Sequence, residues 1–216
     1  MKPTKKTIAP KITKAKPSLA ELSTTLSIAK PDVTRKLDLA CGQSPREGFE
    51  GVDWWNKKAQ HVVDLQKYPW PFEDNSVLEA HASHYVEHIP MYPLRVLPDG
   101  TEQDQFFAFF EECHRILVPD GWITVIVPNA RSNGAFQDPT HRRFIVAESF
   151  LYLAKQWRDM NKLDHYNVKC DFGVDVQPVI PVEYSTWHAE VQQRRFNHEW
   201  NTVVSWQARL KVIKTP

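Results

Sequence analysis

From Thr34 onward, short apolar runs alternate with polar turns. Thr34–Ala40 (TRKLDLA) ends on Cys41-Gly42. Gly51–Trp55 (GVDWW) and His61–Leu65 (HVVDL) follow, and Val77–His84 (VLEAHASH) comes after the turn-like Pro69–Ser76 (PWPFEDNS). Runs this short, bounded by Gly, Pro, Asp and Asn, predict strands. The period then changes. Phe106, Phe109, Phe110, Cys113 and Leu117 fall on one helical face. Thr101 reads as the start of that helix, with Asp104 completing a capping box, and Pro119-Asp120-Gly121 as its stop. Trp122–Val127 (WITVIV) is nearly continuous apolar, as in a strand covered on both faces. A polar loop, NARSNGAFQDPTHRR, precedes a helix around Ala147–Asp159. A strand near Tyr166–Ile180, a helix near Thr186–Asn197 and an alternating strand near Val203–Ile213 complete the pattern. Strands with intervening helices and an antiparallel-looking end predict an α/β sheet.

Composition separates the first thirty residues from the rest. Residues 1–30 carry seven lysines and one acid, net +6, and no aromatics, while the remainder is net −5. Such a segment buries too little apolar surface to order itself. We expect a flexible basic tail over 1–33 and a single domain over 34–216. The tail has no apolar core of a secretory signal. Its charge would attract nucleic acid or an acidic partner, and a merely solvated tail is the plainer reading. At 42% hydrophobic and 12% aromatic the chain is not disordered or low-complexity. It has no 18-residue apolar run, so no membrane span is expected. Three scattered cysteines argue against a disulfide framework and for the reducing cytoplasm. Cys113 and Cys170 read as small core residues, and nothing beside Cys41 marks a reactive thiolate.

Asp38, Asp53 and Asp64 each end or interrupt an apolar strand in the first half. In an open α/β sheet the carboxyl ends of the strands line the ligand crevice. Asp38 precedes the small-residue turn Ala40-Cys41-Gly42, which lets a ligand approach the backbone. Asp53 is placed to accept hydrogen bonds from both hydroxyls of a ribose. Asp64, or the amide of Leu65, is placed to read an adenine edge. Each acid alone is commonly a cap or a solvated charge; three in register form a nucleoside-binding arrangement.

These residues carry a family resemblance. LDLACG (Leu37–Gly42), GVDWW (Gly51–Trp55), VVDLQKYPWPFEDNSV (Val62–Val77), ASHYVEHI (Ala82–Ile89) and FFEECHRILVPDGWITVIVPN (Phe109–Asn129) together resemble a class I, S-adenosylmethionine-dependent methyltransferase of the small type 11 kind. The resemblance covers about residues 34–155. It implies a Rossmann-like, mostly parallel seven-stranded sheet with the last strand antiparallel and helices on both faces. It implies S-adenosylmethionine as cofactor, with S-adenosylhomocysteine as product. The methionine moiety would lie near Asp38 and Gly42, the ribose on Asp53 and the adenine near Asp64 and Leu65, with Ala40, Cys41, Trp54 and Ser83 also expected at the cofactor. The chain departs from the family in its glycine loop. Ala40 and Ser44 replace the first and third glycines, and Ala40 fits if its backbone stays extended. The turn from the first strand to the second is also too short for a full helix.

The resemblance directs attention to two histidines. His84 ends the fourth strand, beside the transferred methyl, and His141 lies in the loop after the fifth strand, which borders the acceptor. Both are candidates to deprotonate or orient an acceptor. Asp138, Arg142 and Arg143 in the same loop are candidates to bind an acidic or polar substrate group. The region 130–200 should shape the acceptor site. The acceptor reads as a small molecule, because Ser83-His84-Tyr85-Val86 stands where amino-methylating nucleic-acid enzymes carry N/D-P-P-Y/F/W. Alternatives are action on nucleic acid or protein recruited by the tail, and noncatalytic cofactor binding. His84-Tyr85-Val86-Glu87-His88 also matches the H-x-x-E-H pattern of zinc peptidases. That motif needs a long helix, Pro90 follows at once and VLEAHAS reads as strand, so no metal is expected. Of Trp54 and Trp55, one is expected near the adenine and the other in the core.

Overall fold

A computed structural model describes residues 33–214, so all but the last residue of the expected tail lies outside the described residues. Seven strands form one sheet in the order β3-β2-β1-β4-β7-β9-β8. They are β1 (Lys36–Leu39), β2 (Glu50–Asp53), β3 (His61–Val62), β4 (Val77–Ser83), β7 (Leu117–Pro128), β8 (Phe172–Val179) and β9 (Ser205–Val212). The first five run parallel, and β9, last in sequence, runs antiparallel to both β7 and β8. This is the expected Rossmann-like arrangement. A two-stranded hairpin of β5 (Arg95–Val96) and β6 (Glu102–Gln103) stands apart from it.

Strand register sorts side chains onto two different faces. Leu37 and Leu39 pair with Ala80 and Ala82, these with Ile123 and Val125, and these with Leu210 and Ala208. All are fully buried and form the core. Against this face packs α1 (Gln105–Ile116), whose Phe106, Phe109, Phe110, Cys113 and Ile116 are buried. Each phenylalanine contributes roughly 2 kcal/mol of transfer free energy. The opposite face carries Lys36, Asp38, Glu79, His81, Thr124 and Arg209. α1 is the helix that covers the apolar face. The β1–β2 and β2–β3 crossovers are too short to carry a helix.

Other expectations shift in detail. Thr101 does not begin the helix. Asp99 Oδ1 accepts from its amide and hydroxyl in the β5–β6 turn, and Asp104 caps α1 by accepting from Phe106 N. The expected helix over 147–159 divides into a 3-10 segment, Ala147–Leu153, and α2 (Lys155–Asn161). α3 (Ala189–His198) buries no side chain and is bonded through its last carbonyls to Arg131. Arg115 on α1 bonds Trp70 O, Phe72 O and Asp74, pinning the loop between β3 and β4. No helix among the described residues is long and apolar enough to cross a membrane.

Candidate functional site

The turn after β1 is folded back onto two of the predicted acids. Asp53 Oδ2 accepts from Gly42 N at 3.0 Å, and its Oδ1 accepts from Trp55 N and Asn56 N at 2.7 and 2.8 Å. Asn56 Nδ2 in turn donates to Gly42 O. Asp38 Oδ2 accepts from Arg46 N and Oδ1 from His81 Nδ1, both at 2.8 Å. Asp38 and Asp53 are only 5% and 7% exposed. Gly51 allows this close fold: a Cβ there would lie 2.8 Å from Cys41 Sγ and 2.9 Å from Pro45 Cγ. Burial, then the Asp38 and Asp53 charges, raise the Cys41 thiol, which keeps it protonated and unreactive.

The register places Asp38, Gly51 and Asp53 on one face, while Asp64 lies beyond the end of β3. Asp64 Oδ1 accepts from Gln66 N, and its Oδ2 pairs with Lys67. Leu65 is buried and takes no exposed position. Two readings of the sequence need correction here. Ala40 has φ +56°, in the left-handed region rather than extended, because the turn keeps the path that a glycine would take. Trp54 and Trp55 are 63% and 60% exposed, so neither is core: Asp53 draws the chain back through the Trp55 and Asn56 amides and turns both indoles outward.

At the carboxyl ends of β4 and β7 lies a cavity of ≈ 480 Å³, lined by His84, His88, Ser132, Gln137, Asp138 and His141 among others. Ser83 is half-buried just before it. His84 sits at φ +53°, with its amide donating to Ile126 O, so the strand exit turns its ring outward. His84 Nδ1 lies 3.1 Å from Glu87 Oε1, a hydrogen bond that raises the imidazole above its ordinary pKa. The loop 137–143 is fastened from below: Glu87 O accepts from Arg142 N and Arg143 N. Asp138 Oδ1 accepts from Thr140 N and Oγ1, at 2.7 Å each.

The structure thus gathers His84, His141 and Asp138 at one cavity and separates the arginines from them. Arg142 and Arg143 border a second cavity of ≈ 450 Å³ walled by Phe106, Phe107, Phe144 and Tyr152. The Arg143 guanidinium bonds Ile89 O and Pro90 O and pairs with Asp104, while Arg142 is exposed. Sequence reasoning passed over His81 and Asn56, polar partners that hold the loop after β1. The one advance signal for Glu87 was the H-x-x-E-H string.

No protein-family model matches the chain, and no curated protein matches it by sequence. Solved structures do match. A SAM-dependent methyltransferase from Archaeoglobus fulgidus is 18% identical, with TM-score 0.50, over 82% of this chain and 85% of that one. One from Methanosarcina mazei is 11% identical, with TM-score 0.47, over 84% and 93%. One from Mesorhizobium loti is 13% identical, with TM-score 0.43, over 82% and 90%. Of these three the first reaches 0.50, and at 18% identity it establishes the fold: this chain has the fold of class I methyltransferases.

Proposed function

We propose that this protein transfers a methyl group from S-adenosylmethionine to a small polar acceptor, acting in the cytoplasm. The observation that carries the reading is the alignment of two sites along the carboxyl edge of one parallel sheet. Asp53 and the Gly42 turn lie on one side, and the histidine cavity at the ends of β4 and β7 on the other. Crevices at this edge are where open α/β sheets take ligands.

The residues present fit the donor. Asp53 spends three of about four lone-pair positions on amides, which leaves one for a ribose hydroxyl. Where a Cβ would stand at Gly42 there is open space. The indoles of Trp54 and Trp55 are exposed next in sequence to Asp53, available to an adenine face. The bound donor supplies a methyl already activated on sulfonium. What remains for the chain is to hold the acceptor in line and exclude water. His84 is the base we assign. Its ring opens on the cavity, and it accepts the proton that the acceptor loses as its lone pair takes the methyl. His141, tethered through Nδ1 to Ala135 O, positions that side of the cavity. Asp138, which lines the same cavity, is left to contact polar substrate groups.

A screen of acceptor classes with labelled S-adenosylmethionine tests the reading. Transfer to a small molecule supports it. S-adenosylhomocysteine binding without transfer to any class would favour a noncatalytic binder, and no binding at all refutes the donor. A second reading has one feature in its favour, the net charge of +6 over residues 1–30. If the acceptor is nucleic acid or a protein held by that segment, deleting it should abolish transfer, and activity should fall steeply with salt.

A further inference from the structure

Behind two of the histidines that line the cavity lies a buried carboxylate. Glu87 is 1% exposed, and its Oε2 has no hydrogen-bond partner. A carboxylate oxygen buried without a donor is costly unless positive charge meets it. Two imidazoles stand beside it. His141 Nε2 lies 4.0 Å from Glu87 Oε1, and the His88 and His141 rings meet edge to face at 4.7 Å. One ligand atom from each of Glu87, His88 and His141 falls within 4.8 Å of the others.

Hydrogen bonds behind the rings fix their tautomers. His141 Nδ1 faces Ala135 O at 2.9 Å. A carbonyl only accepts, so Nδ1 carries a hydrogen, and the neutral ring in this tautomer presents its lone pair at Nε2. Thr140 Oγ1 gives its hydrogen to Asp138 Oδ1 at 2.7 Å, so it can only accept from His88 Nδ1 at 3.1 Å. The neutral His88 ring in this tautomer likewise presents its lone pair at Nε2. A carbonyl behind one imidazole and a carboxylate-backed hydroxyl behind the other is how proteins orient ligand histidines.

We propose that Glu87, His88 and His141 bind a divalent transition-metal ion of the zinc type. Two imidazoles and a carboxylate suit Zn²⁺ or Fe²⁺ and disfavour Mg²⁺ and Ca²⁺, which take all-oxygen shells. Ligands about 2 Å from a tetrahedral ion stand roughly 3.3 Å apart, so these donors need draw together by at most about 1.5 Å. This is not a peptidase helix, because the third ligand comes from the loop after β7. His84, bonded to Glu87 Oε1, stands outside the ligand set. Three protein ligands leave a coordination position for the cavity. In the methyl-transfer reading, on which this step alone rests, that position takes a hydroxyl oxygen of the acceptor. A bound ion would supply Lewis acidity towards that hydroxyl, with Glu87, His88 and His141 holding the ion and His84 opening on the same cavity. The acceptor class is then a hydroxyl compound.

The test uses tag-free full-length protein, stripped with a chelator. It is titrated with Zn²⁺ by calorimetry and with Co²⁺ by visible absorption. We expect one ion per chain, with affinity falling at least about tenfold in His88→Ala, His141→Ala and Glu87→Gln. His165→Ala, at an exposed histidine, should change nothing. Should either alanine variant misfold, Glu87→Gln, which keeps shape and removes charge, decides. S-adenosylhomocysteine binding by the stripped protein is measured alongside. Its retention without stoichiometric metal overturns the metal site and leaves the donor reading intact. Metal binding without it does the reverse. Binding undiminished in Glu87→Gln and His141→Ala also overturns the proposal.

Discussion

Asp53 Oδ2 accepts the amide hydrogen of Gly42 at 3.0 Å, so the end of β2 holds the turn that leaves β1. The same carboxylate anchors Trp55 and Asn56. Asp53→Ala should therefore cost about 2 kcal/mol of folding stability, from amides left without acceptors, as well as donor affinity. Chemical denaturation reads the first effect. The ribose contact is isolated by a different comparison: wild-type protein should bind S-adenosylhomocysteine more tightly than its 2′-deoxy and 3′-deoxy analogues. Equal affinities would leave Asp53 a scaffold alone.

Ala40 holds a left-handed backbone, φ +56°, at a position where a methyl side chain is unfavourable. Ala40→Gly should raise stability by about 1 kcal/mol, measured as a higher denaturant midpoint with unchanged slope. A lower midpoint would mean that the alanine methyl packs more favourably than its backbone suffers.

His114 ends α1 and donates from Nε2 to Ile213 O at 3.0 Å. Burial holds its pKa below the ordinary 6.5. The fold thus favours the neutral ring, and the unfolded chain binds more protons below that pH. Its contribution is complete above about 6.5 and declines as pH drops towards the folded value. His114→Gln, which can still donate to Ile213 O, should flatten the pH dependence of the thermal midpoint from about pH 7.5 downward, one unit above the ordinary imidazole value. An identical slope in both proteins would remove this residue from the acid response.

His84→Gln should lower turnover by about a hundredfold, the ordinary scale of a lost general base, with S-adenosylhomocysteine affinity nearly unchanged. Full turnover in the variant would assign the histidine to shaping the strand exit.

The strands were legible because register and burial impose a simple rhythm on Leu37, Leu39, Ala80, Ala82, Ile123 and Val125. The stripe from Phe106 to Cys113 was legible for the same reason at the helical period. The helix start was misplaced because Thr101 and Asp104 are both good caps, and choosing between them needs the β5–β6 turn, whose strands are two residues each. The fates of Trp54 and Trp55 depend on the amide bonds to Asp53, which no periodicity reveals. Glu87 was hidden differently. In sequence it stands in an H-x-x-E-H string cut short by Pro90, and only tertiary structure shows that the 137–143 loop closes over it.

That loop is riveted rather than hinged. With Glu87 O gripping two successive amides and Arg143 bracing Ile89, Pro90 and Asp104, it has little freedom to swing like a door. Whatever enters must match a mould already cast, so selectivity is decided by fit on arrival instead of by closure afterwards.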